Sequence, residues 1–151
     1  MIKIINYTEE TKDFVKTLNY EWLEKYFRVE PGDVISLSDP QREILDKHGL
    51  IYYAKHNGAI VGTASLLRVD DEVYELGKMA VTSSAQGLGI GKALMEYCLD
   101  KAKELGIKKL ILYSNTKLEN AIHIYRKYGF IEIPLEPGHY ERANIKMELD
   151  L

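Results

Sequence analysis

SSAQGLGIGKAL, residues 83–94, is the stretch on which the reading of this chain turns. Three glycines, Gly87, Gly89 and Gly91, alternate there and give way at once to helix formers. An apolar strand-like run, Met79-Ala80-Val81, precedes them. Glycine is costly inside regular structure and useful where the backbone turns sharply or approaches something closely. A bare strand-to-helix connection needs fewer glycines than this. A strand, a glycine turn and a helix start aim free N–H groups and the positive end of a helix dipole at one spot, which suits an anion such as phosphate. Two familiar phosphate loops are excluded. The dinucleotide fingerprint starting at Gly87 needs a glycine where Lys92 stands. The Walker loop needs a glycine at Gln86 and a hydroxyl at Ala93.

Outward from the loop, residues 90–105 read as a helix closed by Gly106, and KKLILYS (108–114) as a buried strand. TKLENAIHIYRKYGF (116–130) reads as a second helix with Leu118, Ala121, Ile122 and Tyr125 on its apolar face. Thr116 and Glu119 have capping-box spacing, and Gly129 closes it. FIEI and ANIKMEL are further strands. Before the loop, 50–55, 59–67 and 73–81 form an antiparallel meander whose first turn is Asn57-Gly58. Phe14, Leu18, Trp22, Leu23 and Tyr26 fit one or two amphipathic helices between Thr8 and Phe27. VEPGDVISLSDP (29–40) reads as a loop, and 41–47 as a short helix. Meander plus helical crossover predicts an α/β (α+β) fold over a single domain, 1–151. Its centre is a mixed, mostly antiparallel sheet of six to seven strands with helices on both faces.

The 151 residues carry a net charge of −3, which disfavours a general nucleic-acid binder. No apolar run is long enough for a membrane span and MIKIINYTEE lacks the pattern of a secretion signal, so no membrane partner is expected. One cysteine, Cys98, forbids an intrachain disulfide and fits a reducing cytoplasm. It lies on the face of Leu94, as a structural thiol would. His48, His56, His123 and His139 lack ligand spacing, so no metal is expected.

QGLGIG (86–91) resembles the Q/R-x-x-G-x-G/A signature of the GNAT superfamily of acyl-CoA-dependent N-acyltransferases. YELGKMAV (74–81) resembles the strand before that loop, and NAIHIYRKYGF (120–130) the family's second signature. The resemblance is strong over about 73–133. It implies a GNAT-type fold and acetyl-CoA as donor cosubstrate. It also implies that the strand ending at Val81 and the strand at 109–114 splay apart to admit pantetheine as an added strand. Met79, Ala80 and Val81 would then bind pantetheine. Gly87, Leu88, Gly89, Ile90, Gly91 and Lys92 would cradle the pyrophosphate, with Gln86 supporting the turn. Asn115, Asn120 and Tyr128 are further cofactor candidates.

A lysine-like amine, with a pKa of about 10.4, is mostly protonated at pH 7, so aminolysis of a thioester needs a base. Glu75 matches the family's carboxylate base, and alternation puts Glu75, Gly77, Met79 and Val81 on one face. Tyr125 matches the general acid for the leaving thiolate. A phenol near 10 giving its proton to a thiol near 8.5 is uphill by roughly 2 kcal/mol. Tyr20, Trp22 and Phe27 are candidate walls of the acceptor cleft. Arg142 either meets a carboxylate on the acceptor or makes a surface ion pair. The expected activity is acetyl transfer to a primary amine of a small molecule by direct attack in a ternary complex. A peptide or protein acceptor and a non-catalytic CoA-binding sensor are the alternatives. The sequence leaves the oligomeric state open, a homodimer included.

Overall fold

In the computed structural model, residues 1–138 and 140–151 are described; His139, one of the four histidines read above, lies outside them. The chain runs β1 (Ile2–Asn6), α1 (Asp13–Tyr26), α2 (Pro31–Ser38), β2 (Leu50–His56), β3 (Ala59–Arg68), β4 (Val73–Val81), α3 (Ile90–Glu104), β5 (Lys109–Ser114), α4 (Glu119–Lys127), β6 (Ile131–Ile133) and β7 (Ile145–Asp150). The seven strands form one sheet in the order β1-β2-β3-β4-β5-β7-β6. Every neighbouring pair is antiparallel except β4 and β5. The α3 crossover makes that one pair parallel.

Period-two alternation divides the core between the two faces. Tyr52, Ala54, Ala64 and Leu66 pack with Leu94, Cys98 and Ala102 of α3. Ile51 and Tyr53 pack on the other face with Val15 and Leu23 of α1 and Leu37 of α2. Cys98 is fully buried, and burial pushes its thiol up to about 12, as befits a packing residue. Asn57 and Gly58 both take positive φ, 52° and 83°, as the expected hairpin turn requires.

Four sequence expectations change. The sequence pattern does not separate β1 from the N-terminal segment, because five residues at the sheet edge are too short a pattern. Residues 29–40, read as a loop, contain α2. Pro31 occupies the first helical turn, where a missing N–H costs nothing, and Asp33 accepts the Glu30 N–H at 2.9 Å. The Thr116–Glu119 capping box is absent, because the Thr116 hydroxyl instead accepts from Asn144 Nδ2 at 3.0 Å.

The fourth change bears on the site. Thr63 pairs with Ala80 but Ser65 pairs with Gly77, so two residues of β4, Lys78 and Met79, oppose one of β3. This β-bulge, with Lys78 at φ 51°, shifts the alternation by one. Glu75 and Gly77 therefore share a face with Ala80, toward α1. Val81, paired with Gly62, lies on the α3 face, so the expected line from Glu75 to Val81 is broken.

Candidate active site

The parallel pairing of β4 with β5 covers only Val73–Lys109, Tyr74–Leu110 and Glu75–Ile111. Beyond Glu75 the strands part, although both continue. The opening is a cavity of about 760 Å³ whose walls include Met79, Ala80 and Val81 of β4 and Ser114 and Asn115 at the end of β5. One end reaches the glycine loop, where Gln86, Gly87, Gly89, Ile90, Gly91 and Lys92 line it. The other reaches Trp22, Phe27, Asp33, Glu75, Tyr140 and Arg142. Asn120 and Tyr125 of α4 form its side. No residue of α4 is fully buried; Ile122, Ile124 and Tyr125 pack partly against the core, and Asn120, Ala121, Ile124 and Tyr125 border this space.

Gly87 and Gly89 take φ of 82° and 80°, which side chains rarely adopt, and nothing stands within 4 Å of where their Cβ atoms would be. The Gly91 backbone needs no such freedom. The Ala93 N–H, donating to the Gly89 carbonyl at 3.0 Å, is the first of α3 with an intrahelical acceptor. The N–H groups of Ile90, Gly91 and Lys92 are left over, as at any helix start. The Gln86 amide donates to the Val81 carbonyl at 3.4 Å and braces the turn. From α1, Glu21 accepts the Ser83 N–H and hydroxyl, both at 2.7 Å, and the Thr82 hydroxyl at 2.8 Å. These bonds, Ser83's first, lower its pKa. The loop is thus braced from both sides and open toward the cavity, a fit for a diphosphate.

Glu75 is buried and accepts the Tyr140 hydroxyl at 2.9 Å. Burial, with the carboxylate beside it, raises the pKa of Tyr140. A Cβ on Gly77 would stand 3.0 Å from Glu75 Oε2, so glycine there makes room for the carboxylate. Tyr125 is half-buried, packs edge-on to Phe130 at 6.0 Å, and burial pushes its phenol up to about 12. Its hydroxyl has no hydrogen-bond partner among the described residues.

Arg142 makes an ion pair, but not at the surface. Its guanidinium grips Asp33 through Nη1 and Nη2, both at 2.9 Å, and reaches Glu30 at 3.2 Å. It lies 5.7 Å from the Trp22 ring and 5.2 Å from that of Tyr140. Asn115 is likewise engaged, donating to the Arg142 carbonyl at 2.8 Å. Three candidates stand outside the cavity wall. Leu88 is exposed, Tyr128 turns to Glu96 at 2.6 Å, and Tyr20 lies under Lys16.

Sequence reasoning missed Asn19, Asp33, Lys78 and the part played by Tyr140. Asn19 is buried; its Nδ2 donates to the carbonyls of Val15 at 2.8 Å and Lys78 at 3.0 Å, while its Oδ1 accepts from Trp22 Nε1 at 3.1 Å. It ties α1 to the bulge. A polar residue on the apolar face of a helix, and a lysine inside an apolar strand, were the available signals.

Residues 12–130 match the family model described as acetyltransferase (GNAT) family. An uncharacterised N-acetyltransferase of Mycobacterium tuberculosis is 38% identical over 94 residues, 62% of this chain and 56% of the relative. One of Bacillus subtilis is 30% identical over 101 residues, 65% of each. The chain thus spans less than two thirds of either relative. A GNAT-family acetyltransferase of Staphylococcus aureus superposes with a TM-score of 0.88 at 25% identity, covering 99% of both chains. Another, from Elizabethkingia anophelis with acetyl-CoA bound, gives 0.67 at 26%, covering 99% of this chain and 98% of that one.

Proposed function

The chain belongs to the GNAT acetyltransferase family, and from that premise we propose that it moves an acetyl group from acetyl-CoA to a primary amine of a small molecule by direct attack in a ternary complex. The observation that carries this reading is one continuous cavity with unpaired helix-start N–H groups at one end, a buried carboxylate at the other, and a phenol in its side wall. Acetyl-CoA would supply the activated acyl group as a thioester. The edge of β4 from Met79 to Val81, unpaired toward β5, offers main-chain groups to the pantetheine amides. N–H groups between Gly87 and Lys92 hold the diphosphate. A β4 N–H beside the bulge polarises the thioester carbonyl.

Glu75 removes the proton from the incoming ammonium, directly or through a water, and Tyr140 holds the carboxylate in place. Tyr125 returns a proton to the departing sulfur. With its phenol near 12 and a thiol near 8.5, this transfer is uphill by about 5 kcal/mol. Enclosing the sulfur in the same apolar wall raises its proton affinity too, and narrows the gap. Cys98 is buried away from this chemistry, in keeping with a route that has no acyl-enzyme; a lone buried thiol also suits a reducing, cytoplasmic setting.

A small acceptor is favoured over a peptide because the segment before β7 is tied to α2 beside the far end. Arg142 joins the segment before β7 to α2 through Asp33, and Arg28 meets Glu141 at 2.9 Å. The test is thiol release from acetyl-CoA with amino acids, polyamines, aminoglycosides and short peptides. Turnover confined to small amines supports the reading. Turnover with peptides alone replaces the acceptor, and tight CoA binding without turnover on any amine favours a sensor.

A further inference from the structure

Among the described residues, two lysines that line the acceptor end lack an ion pair: Lys117, exposed and 5.0 Å from the Phe27 ring, and Lys78, half-buried. Arg142 is taken by Asp33 and Glu30, and Arg28 by Glu141. Lys78 lines the same end of the cavity, half-buried, yet makes no ion pair or hydrogen bond through Nζ with any described residue. Its ammonium stands 5.2 Å from the centre of the Tyr140 ring, a contact that offsets only part of the lost hydration. Both oxygens of Asp33 face Arg142, and Glu75 accepts from Tyr140. Desolvation lowers the lysine's pKa, against the opposing pull of these two carboxylates.

The position is also fixed. Lys78 carries the positive φ of the bulge, and Asn19 holds its carbonyl at 3.0 Å, so the side chain leaves a constrained backbone. A non-glycine residue kept in the left-handed region beside a cavity points to use of its side chain. An anion brought by a ligand would give this cation the partner that the chain withholds.

From this arrangement we infer that Lys78 receives a carboxylate on the acceptor, so that the acceptor is amino-acid-like, with its amine toward Glu75 and its acid on Lys78. The inference rests on the acetyltransferase reading and narrows its substrate class. Gly77 leaves room for the Glu75 carboxylate beside Lys78, and Trp22 and Phe27, edge to face at 6.1 Å, supply an apolar flank.

The single tryptophan, Trp22, lines this end and reports occupancy without turnover. CoA is titrated first; if none binds, the donor reading fails independently. CoA-saturated protein is then titrated with glycine, alanine, glutamate, β-alanine and γ-aminobutyrate, and with their carboxamides, following Trp22 fluorescence. At least one acid is expected to bind about tenfold or more tightly than its carboxamide. Lys78→Met should erase that preference while leaving carboxamide binding within about twofold, and Lys78→Arg should restore part of it. Binding of no acid, equal binding of acid and carboxamide, or a preference that survives in a folded Lys78→Met variant overturns the inference.

Discussion

Replacing Arg142 with methionine separates a strut from a substrate ligand. The substitution keeps an apolar stem beside Trp22 and Tyr140 but leaves Asp33, 3% exposed, without its bidentate partner. Asp33 would keep the Glu30 N–H at 2.9 Å, which solvates one oxygen in part. Breaking a buried pair from one side costs about 3–5 kcal/mol. The Arg142 and Glu30 side chains are 15% and 16% exposed, so water can enter the gap, and the lower end, about 3 kcal/mol, applies. For a chain of this length that lowers Tm by about 6–12 °C. Removing both charges, Asp33→Leu with Arg142→Met, leaves no buried orphan charge but frees the Glu30 N–H and carboxylate at the start of α2, so stability should return to within about 2 kcal/mol of wild type. Thermal and urea melts of the three proteins read this directly. A single variant that melts within about 2 °C of wild type, with only the acceptor KM raised, would refute the reasoning and make Arg142 a substrate ligand.

Acetyl-CoA at about 100 times its Kd should add about 2.7 kcal/mol, or about 5–11 °C in Tm, and slow amide exchange in α4. No thermal shift would mean that the cavity does not take the donor. Gly77→Ala puts a Cβ 3.0 Å from Glu75 Oε2, so kcat should fall severalfold while CoA binding persists; unchanged kcat would count against Glu75 as base. Because burial holds the Tyr125 phenol near 12 rather than 10, its acid form persists as pH rises, and kcat should show no alkaline fall before about pH 10. A lower limb that disappears in Tyr125→Phe contradicts this. The pKa of Glu21 is lower folded than unfolded. Its contribution is therefore full above the unfolded value and lost as pH falls through the folded one. Glu21→Gln should accordingly show a weaker acid loss of stability, and an identical acid limb would discount the Ser83 clamp.

The sheet was legible where local chemistry and tertiary structure agree. Asn57-Gly58 names its own turn, and the Gly87–Gly91 run marks the strand-to-helix corner before any packing is known. Period-two reasoning failed at Lys78, because a bulge depends on how β4 registers against β3 and leaves no mark in β4 alone. The Pro31-Gly32 pair has the composition of a breaker, yet its proline opens α2. Asp33, Arg142, Glu75 and Tyr140 converge from three separate segments, and the separations in sequence, 109 residues from Asp33 to Arg142 and 65 from Glu75 to Tyr140, hide both contacts. Tyr125 was identifiable as a candidate, but the burial that raises its pKa belongs to the fold.

The most direct measurement is release of free thiol from acetyl-CoA in the presence of small amines, wild type against Tyr125→Phe. Turnover by wild type that falls by about tenfold or more in the variant, with CoA affinity preserved, is the predicted result. Wild-type turnover undiminished in Tyr125→Phe would contradict the assignment of the acid. CoA bound tightly but never released from its acetyl group, by any amine, would contradict the account of the cavity as an acetyl-transfer site.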